Sequence, residues 1–280
     1  MRCAWQEYLS LLPVWLRKEL GYQTNNDLQE LRLRSGQPPT LILKDRTVTL
    51  ERKTIVDDLH YVINAASQYS PWAAATISKG YITAIGGHRI GICGEAVVHN
   101  GVVTGIKTIT SLCVRVARDF TDISKDASKY GGSILIIGPP CSGKTTLLRD
   151  LIRQRSNTGT GSVAVMDERG EIFPVVNGTP CYATGKNTDI LTGCDKQQGI
   201  DMLLRTMGPS CIAVDEITEE RDCHALMNAG WSGVKLLATA HAAHKSDLFS
   251  RPVYRPLVTN QLFDTLLVLQ SDKSWKAERL

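Results

Sequence analysis

Residues Gly138-Pro139-Pro140-Cys141-Ser142-Gly143-Lys144-Thr145 satisfy the pattern Gly-x-x-x-x-Gly-Lys-Thr, and their flanks constrain the fold more than any other feature of the 280-residue chain. The apolar run Ser133-Ile134-Leu135-Ile136-Ile137 precedes the pattern, and Thr146-Leu147-Leu148-Arg149-Asp150-Leu151-Ile152 follows it with helical spacing. Strand, glycine-rich turn and helix in that order make a phosphate cradle. Glycines let successive backbone N–H groups turn inward, and the helix start adds partial positive charge. Gly138 to Thr146 is therefore the expected binding segment for ATP, with Lys144 reaching the β- and γ-phosphates and Thr145 ligating Mg²⁺.

Such a loop needs an acid from another strand. Cys211-Ile212-Ala213-Val214-Asp215-Glu216 is an apolar run ending in two. Asp215 is the candidate for the metal, and Glu216 can orient a water and accept its proton. A second run, Val163-Ala164-Val165-Met166, ends in Asp167-Glu168-Arg169-Gly170-Glu171, which makes Glu168 and Glu171 alternative bases, ahead of a reading as a solvated strand-to-loop turn. His241, after Leu237-Ala238-Thr239-Ala240, stands where a side chain can sense a γ-phosphate, or is a surface histidine. Arg205, Arg115 and Arg118 can neutralise phosphate charge from the same or a neighbouring subunit, and each is otherwise an ordinary surface arginine.

Short apolar runs at 134–137, 163–166, 211–214, 234–238 and 266–269 alternate with helical stretches, the pattern of a parallel sheet covered by helices. Upstream the reading is α+β. Helical patterns cover 5–19 and 56–69; strands cover 31–33, 41–43, 81–85, 88–92, 97–98 and 102–116, with Gly86-Gly87, Gly94 and Asn100-Gly101 as turns. Trp5, Leu9, Leu12, Trp15 and Leu16 form an apolar stripe broken at Pro13, suited to core packing ahead of a membrane or partner surface. The polar stretch 119–132, ending in Gly131-Gly132, reads as a linker between an N-terminal domain, 1–118, and an ATPase domain, 133–280.

Composition narrows the partners. A net charge of +4, from 32 basic and 28 acidic residues, forms no basic stripe, so no nucleic acid is expected. The eight cysteines show no Cys-x-x-Cys pair and fit a reducing cytoplasm. No run approaches the ~20 apolar residues that span a bilayer.

Taken in order, Leu31-Arg32-Leu33-Arg34, Gly87-His88-Arg89-Ile90-Gly91-Ile92-Cys93-Gly94-Glu95, the phosphate loop, residues 167–171, Leu204-Arg205-Thr206-Met207 and Val214-Asp215-Glu216-Ile217 resemble the stage III sporulation protein AA family, over about residues 28 to 270. That family is similar to the type II and type IV secretion and pilus-assembly ATPases, whose loop, acidic box, acid strand and His box match 138–146, 167–171, 215–216 and 239–241. The resemblance implies a RecA-like α/β core behind a smaller N-terminal domain, a homo-oligomeric ring, expected to be a hexamer, and a site near subunit boundaries. It implies a peripheral membrane position on the mother-cell side, with integral membrane proteins of a sporulation channel complex as partners. Two departures stand out: Cys141 where the family usually has glycine, and Thr218 where it usually has another small residue. A nucleotide-gated scaffold that scarcely hydrolyses, and a nucleic-acid translocase, are the competing functions, the second disfavoured by charge.

Overall fold

The computed structural model describes residues 1–21, 27–68, 77–78 and 80–280. Two compact units emerge: Met1–Asp119 with Val175–Tyr182, and Phe120–Pro174 with Ala183–Leu280.

The first unit is a six-stranded antiparallel sheet backed by helices. Its strands are β1 (Leu28–Arg34), β2 (Thr40–Leu43), β3 (Thr47–Thr49), β4 (Tyr81–Thr83), β5 (Arg89–His99) and β6 (Val102–Arg115), in the order β3-β2-β1-β6-β5-β4. Helices α1 (Trp5–Ser10), α2 (Val14–Leu20) and α3 (Val56–Ser67) cover it. Pro13 separates the first two, because its ring cannot continue the preceding helix. The N-terminal apolar stripe is core: Leu12 and Leu16 are fully buried, Trp5 nearly so, and Leu9 and Trp15 pack against them. The helical pattern expected to 69 ends at Ser67, capped by Gln68 in the left-handed region; Tyr69 lies outside the described residues.

Gly94 differs from its expected role as a turn. It lies within β5 at a β-bulge opposite β6, where a Cβ would approach the Thr108 carbonyl to 2.8 Å. The hairpin turn is instead Asn100-Gly101, where both residues have positive φ.

The second unit is a seven-stranded sheet in the order β11-β8-β12-β13-β7-β14-β15, parallel except for its last strand. Here β7 is Ile134–Ile137, β8 Val163–Asp167, β11 Thr188–Thr192, β12 Cys211–Ile217, β13 Lys235–Ala240, β14 Thr265–Leu269 and β15 Trp275–Arg279. The short hairpin of β9 (Val175–Val176) and β10 (Thr179–Pro180) belongs to the first unit. Helices α4 (Lys144–Thr158), α5 (Lys196–Met207), α6 (Glu220–Trp231), α7 (Lys245–Ser250) and α8 (Arg255–Thr259) complete the second unit. β7 and β8 are buried at every position, as befits strands covered on both faces.

The segment expected as a linker is not one. Residues 120–132 belong to the second unit, held by the buried carboxylate of Asp150 on α4. Asp150 accepts from the Asp122 and Ser124 backbone N–H groups at 3.1 and 2.8 Å and from the Ser124 hydroxyl at 2.8 Å, and it pairs with Arg153 at 2.7 Å. Most polar side chains of the segment are exposed; what ties it down is the buried Ser124 and the backbone amides that Asp150 accepts, contacts with no trace in the local composition.

Candidate functional site

The strand order places β13 between β7, which leads into the phosphate loop, and β12, which carries the acids. All three are parallel, so their C-terminal ends converge on one edge. Gly138 opens the loop in a space with no room for a side chain: a Cβ would lie 2.8 Å from Ser142 Oγ and 2.9 Å from Leu269. Pro139, Pro140 and Cys141 form the outer part of the turn, with Pro140 and Cys141 exposed, and Ser142 is buried. Gly143 precedes α4 in the left-handed region, without a side-chain cap, and no acid occupies the first turn. The amides that start α4, at Lys144, Thr145 and Thr146, therefore meet no side-chain cap and are suited to receive an anion.

Lys144 is buried and folds back on its own loop, its ammonium donating to the Gly138 and Pro139 carbonyls, both at 2.9 Å. Burial pushes its pKa below the ordinary lysine value, and the carboxylates of Asp215 and Glu216 oppose that shift.

Thr145 Oγ1 donates to Asp215 Oδ2 at 2.7 Å. The other Asp215 oxygen accepts from the Thr239 hydroxyl, which itself accepts the Glu216 N–H at 2.8 Å. That arrangement follows from a β-bulge: Val214 faces Ala238 and Ile217 faces Ala240, leaving Asp215 and Glu216 opposite Thr239, with Glu216 at φ 52°. Burial raises the Asp215 pKa, the Thr145 and Thr239 hydroxyls lower it, and Glu216 and Glu171 raise it. An acid so placed gains from a cation.

Glu216 meets the His241 Nε2 at 3.1 Å and Arg169 at 3.5 Å. The acidic box divides by environment. Asp167 is buried and accepts the backbone N–H groups of Glu171, Ile172 and Phe173 at 2.8, 2.9 and 2.8 Å, which makes it the organiser of its turn. Glu168 pairs at 3.0 Å with the buried Lys196, which also lies 3.6 Å from Asp222. Glu171 lines the same narrow cleft as Glu168, Asp215 and Glu216. Arg205 is exposed in the last turn of α5. It sits nine residues beyond Lys196, a rise of about 13 Å along the helix, and so away from the acids. Arg115 pairs with Glu30 at 3.3 Å, and Arg118 donates to the Leu28 carbonyl at 2.7 Å; both belong to the first unit.

Lys196 escaped the sequence reading. Its signal is a lysine in the first helical turn, where the helix dipole disfavours a cation unless acids hold it.

Core sheet, loop and strand order define a RecA-like P-loop fold of the secretion and pilus-motor type. The chain is similar to the ATPase DotB of Legionella pneumophila, with a TM-score of 0.59, 17% identity, and coverage of 96% of this chain and 80% of that one. It is likewise similar to the pilus retraction motor PilT solved with bound ADP, with a TM-score of 0.61, 14% identity, and coverage of 90% and 75%. The chain belongs to the sporulation stage III protein AA family, whose profile matches residues 4–277. It is 36% identical to stage III sporulation protein AA of Bacillus subtilis (strain 168) over 281 aligned positions, covering 95% of this chain and 91% of that protein. No helix among the described residues is long and apolar enough to cross a membrane.

Proposed function

We propose that this sporulation protein binds Mg-ATP at Gly138–Thr146 and hydrolyses it. The observation that carries the reading is the 2.7 Å hydrogen bond between Thr145 and Asp215, which brings the first turn of the loop's helix against the acid of a separate strand. Their oxygens are hard donors suited to Mg²⁺, which takes one or two protein ligands and completes its shell with phosphate and water. Bound there, the metal supplies charge neutralisation at the phosphates.

The chain's own groups account for the rest. Lys144 exchanges the Gly138 and Pro139 carbonyls for phosphate oxygens, a charge-assisted contact that suits a desolvated ammonium. Glu216 is the base: as a water oxygen attacks the γ-phosphorus and the bond to the β–γ bridging oxygen breaks, the water proton passes to the Glu216 carboxylate. His241 orients that carboxylate from the next strand. Glu168 is the weaker candidate because Lys196 already engages it, and Glu171 serves the cleft wall. Cys141 keeps its N–H in the cradle, with Pro139, Pro140, Ser142 and Gly143 shaping the turn.

The wider setting rests on family membership. The protein works as a homo-oligomeric ring, taken as a hexamer, peripheral to the mother-cell membrane and against integral membrane proteins of a sporulation channel complex. The exposed Arg205 serves a neighbouring subunit's phosphates, and nucleic acid has no part. Phosphate release by the full chain tests this: turnover that depends on Mg²⁺ and vanishes in Lys144→Ala is expected. Unchanged turnover in that variant overturns the site; negligible turnover in both, with ring formation driven by a non-hydrolysable ATP analogue, leaves a nucleotide-gated scaffold.

A further inference from the structure

Arg169 stands on the turn that follows β8, and that turn is held from two sides. Asp167 accepts the backbone N–H groups of Glu171, Ile172 and Phe173, and Gly170 takes φ 64°. From α4, the buried Arg149 donates to the Glu171 carbonyl at 2.8 Å and to the Ile172 carbonyl. The helix that begins at the phosphate loop is thus bonded directly to the turn that carries Arg169. β8 and β12 run parallel with Met166 opposite Val214, so the turn and the Asp215-Glu216 pair open on the same edge, within the second unit.

Lys196 and Arg169 both line the acid cleft and are held differently. The Lys196 ammonium is buried and committed to Glu168 at 3.0 Å. Arg169 Nη1 reaches Glu216 Oε2 only at 3.5 Å, with 58% of its side chain and 31% of the glutamate's exposed. A loose, solvated pair of this kind contributes little to stability. Its guanidinium is easily redirected, and a phosphoryl group, more highly charged and able to accept the planar fork at two oxygens, competes well for it. The cleft itself measures about 20 Å³, room for about one water beside Glu216.

We propose that Arg169 is a catalytic residue for its own chain's nucleotide, paired with Glu216 until a triphosphate binds and then moving to the γ-phosphate, which frees Glu216 to receive the water proton. The proposal rests on the phosphate-loop reading. Arg169 transfers no proton, because a guanidinium stays protonated. It adds positive charge to the phosphoryl oxygens as the bond to the β–γ bridging oxygen breaks, and it clears one Glu216 oxygen while His241 keeps the other. Only a triphosphate supplies γ-oxygens, so the same side chain tells ATP from ADP.

Calorimetric titration of the full chain with Mg²⁺ and either ADP or the imido analogue of ATP, run alongside phosphate release, tests the proposal. Arg169→Ala should weaken the analogue about tenfold and lower turnover about 10²- to 10³-fold, with ADP affinity kept within about twofold. In a Glu216→Gln background the same substitution should still weaken the analogue about tenfold. No further loss there makes Arg169 a partner of Glu216 alone and overturns the proposal. So does an equal loss of ADP and analogue. Mixing Arg169→Ala chains with Lys144→Ala chains should restore nothing, since each site uses its own arginine; recovery on mixing would assign the arginine to a neighbouring subunit's site and overturn the proposal as well. Full turnover in Arg169→Ala, where Lys144→Ala is inactive, removes this proposal alone. A wild-type chain that binds neither ADP nor the analogue removes the phosphate-loop reading first and this one with it.

Discussion

Thr145 Oγ1 and Asp215 Oδ2, 2.7 Å apart, join the start of α4 to the end of β12 although 70 residues separate them. Replacing Thr145 by Val keeps the shape and removes the donor. The proposal for this pair predicts that metal affinity and Mg-dependent turnover fall about 10- to 100-fold, while binding of metal-free nucleotide persists. Magnesium titration of phosphate release checks it.

The two candidate bases should separate cleanly. Glu216→Gln is expected to lower turnover about 10²- to 10⁴-fold with nucleotide binding retained. Glu168→Gln should instead weaken the Lys196 pair and lower the melting temperature, with turnover surviving. Single-turnover kinetics with parallel thermal melts decide between them, and equal losses in both variants would remove the distinction.

Cys141 holds φ 60°, a conformation that costs a side-chain-bearing residue about 1–2 kcal/mol and glycine almost nothing. Melting temperatures should run Cys141→Gly at or above wild type, then wild type, then Cys141→Val, since β-branching is least tolerated there. A valine variant as stable as wild type would contradict the backbone assignment.

Acid should weaken the first unit through His88. The ring is buried, with Nδ1 accepting the Ala117 N–H at 3.0 Å and Nε2 meeting the Ala4 carbonyl at 2.8 Å. Burial lowers its pKa from the ordinary 6.5, so the neutral form is favoured in the folded state. Its stability contribution is present above about pH 6.5 and is lost as pH falls through the lowered folded value. Thermal melts between those limits should slope downward in wild type and run flatter in His88→Asn, which keeps an acceptor but does not titrate.

Asp150→Ala should cost about 3–5 kcal/mol, because it removes the carboxylate facing the buried Arg153 guanidinium and frees the Asp122 and Ser124 amides. Denaturant unfolding measures the loss, and limited proteolysis should cut first within 120–132.

Much of the core was legible because its signals are contiguous. Ile134–Ile137, the loop and the helix lie in one stretch, and Cys211–Glu216 shows its acids at the end of an apolar run. What escaped was distributed. The edge strand β15 reads Trp-Lys-Ala-Glu-Arg, charged as edge strands often are, and carries little apolar signal. β11 is only partly buried at most positions and reads as loop for the same reason. Asp150 and the amides of 122–124 are 26 to 28 positions apart, so their pairing has no local trace and the segment passes for a tether. The two acids of β12 were visible; the bulge that turns them to different neighbours was not, because it depends on register against β13.

The Thr239 hydroxyl both donates to Asp215 and accepts from the Glu216 amide. One oxygen atom thus ties the Asp215 carboxylate to the peptide of Glu216, so under the proposed roles neither can be retuned alone. A change that drew Asp215 toward an incoming cation would pull on Thr239 and, through it, on the peptide carrying Glu216, giving the strand end a mechanical link between cation arrival and the aim of its neighbour.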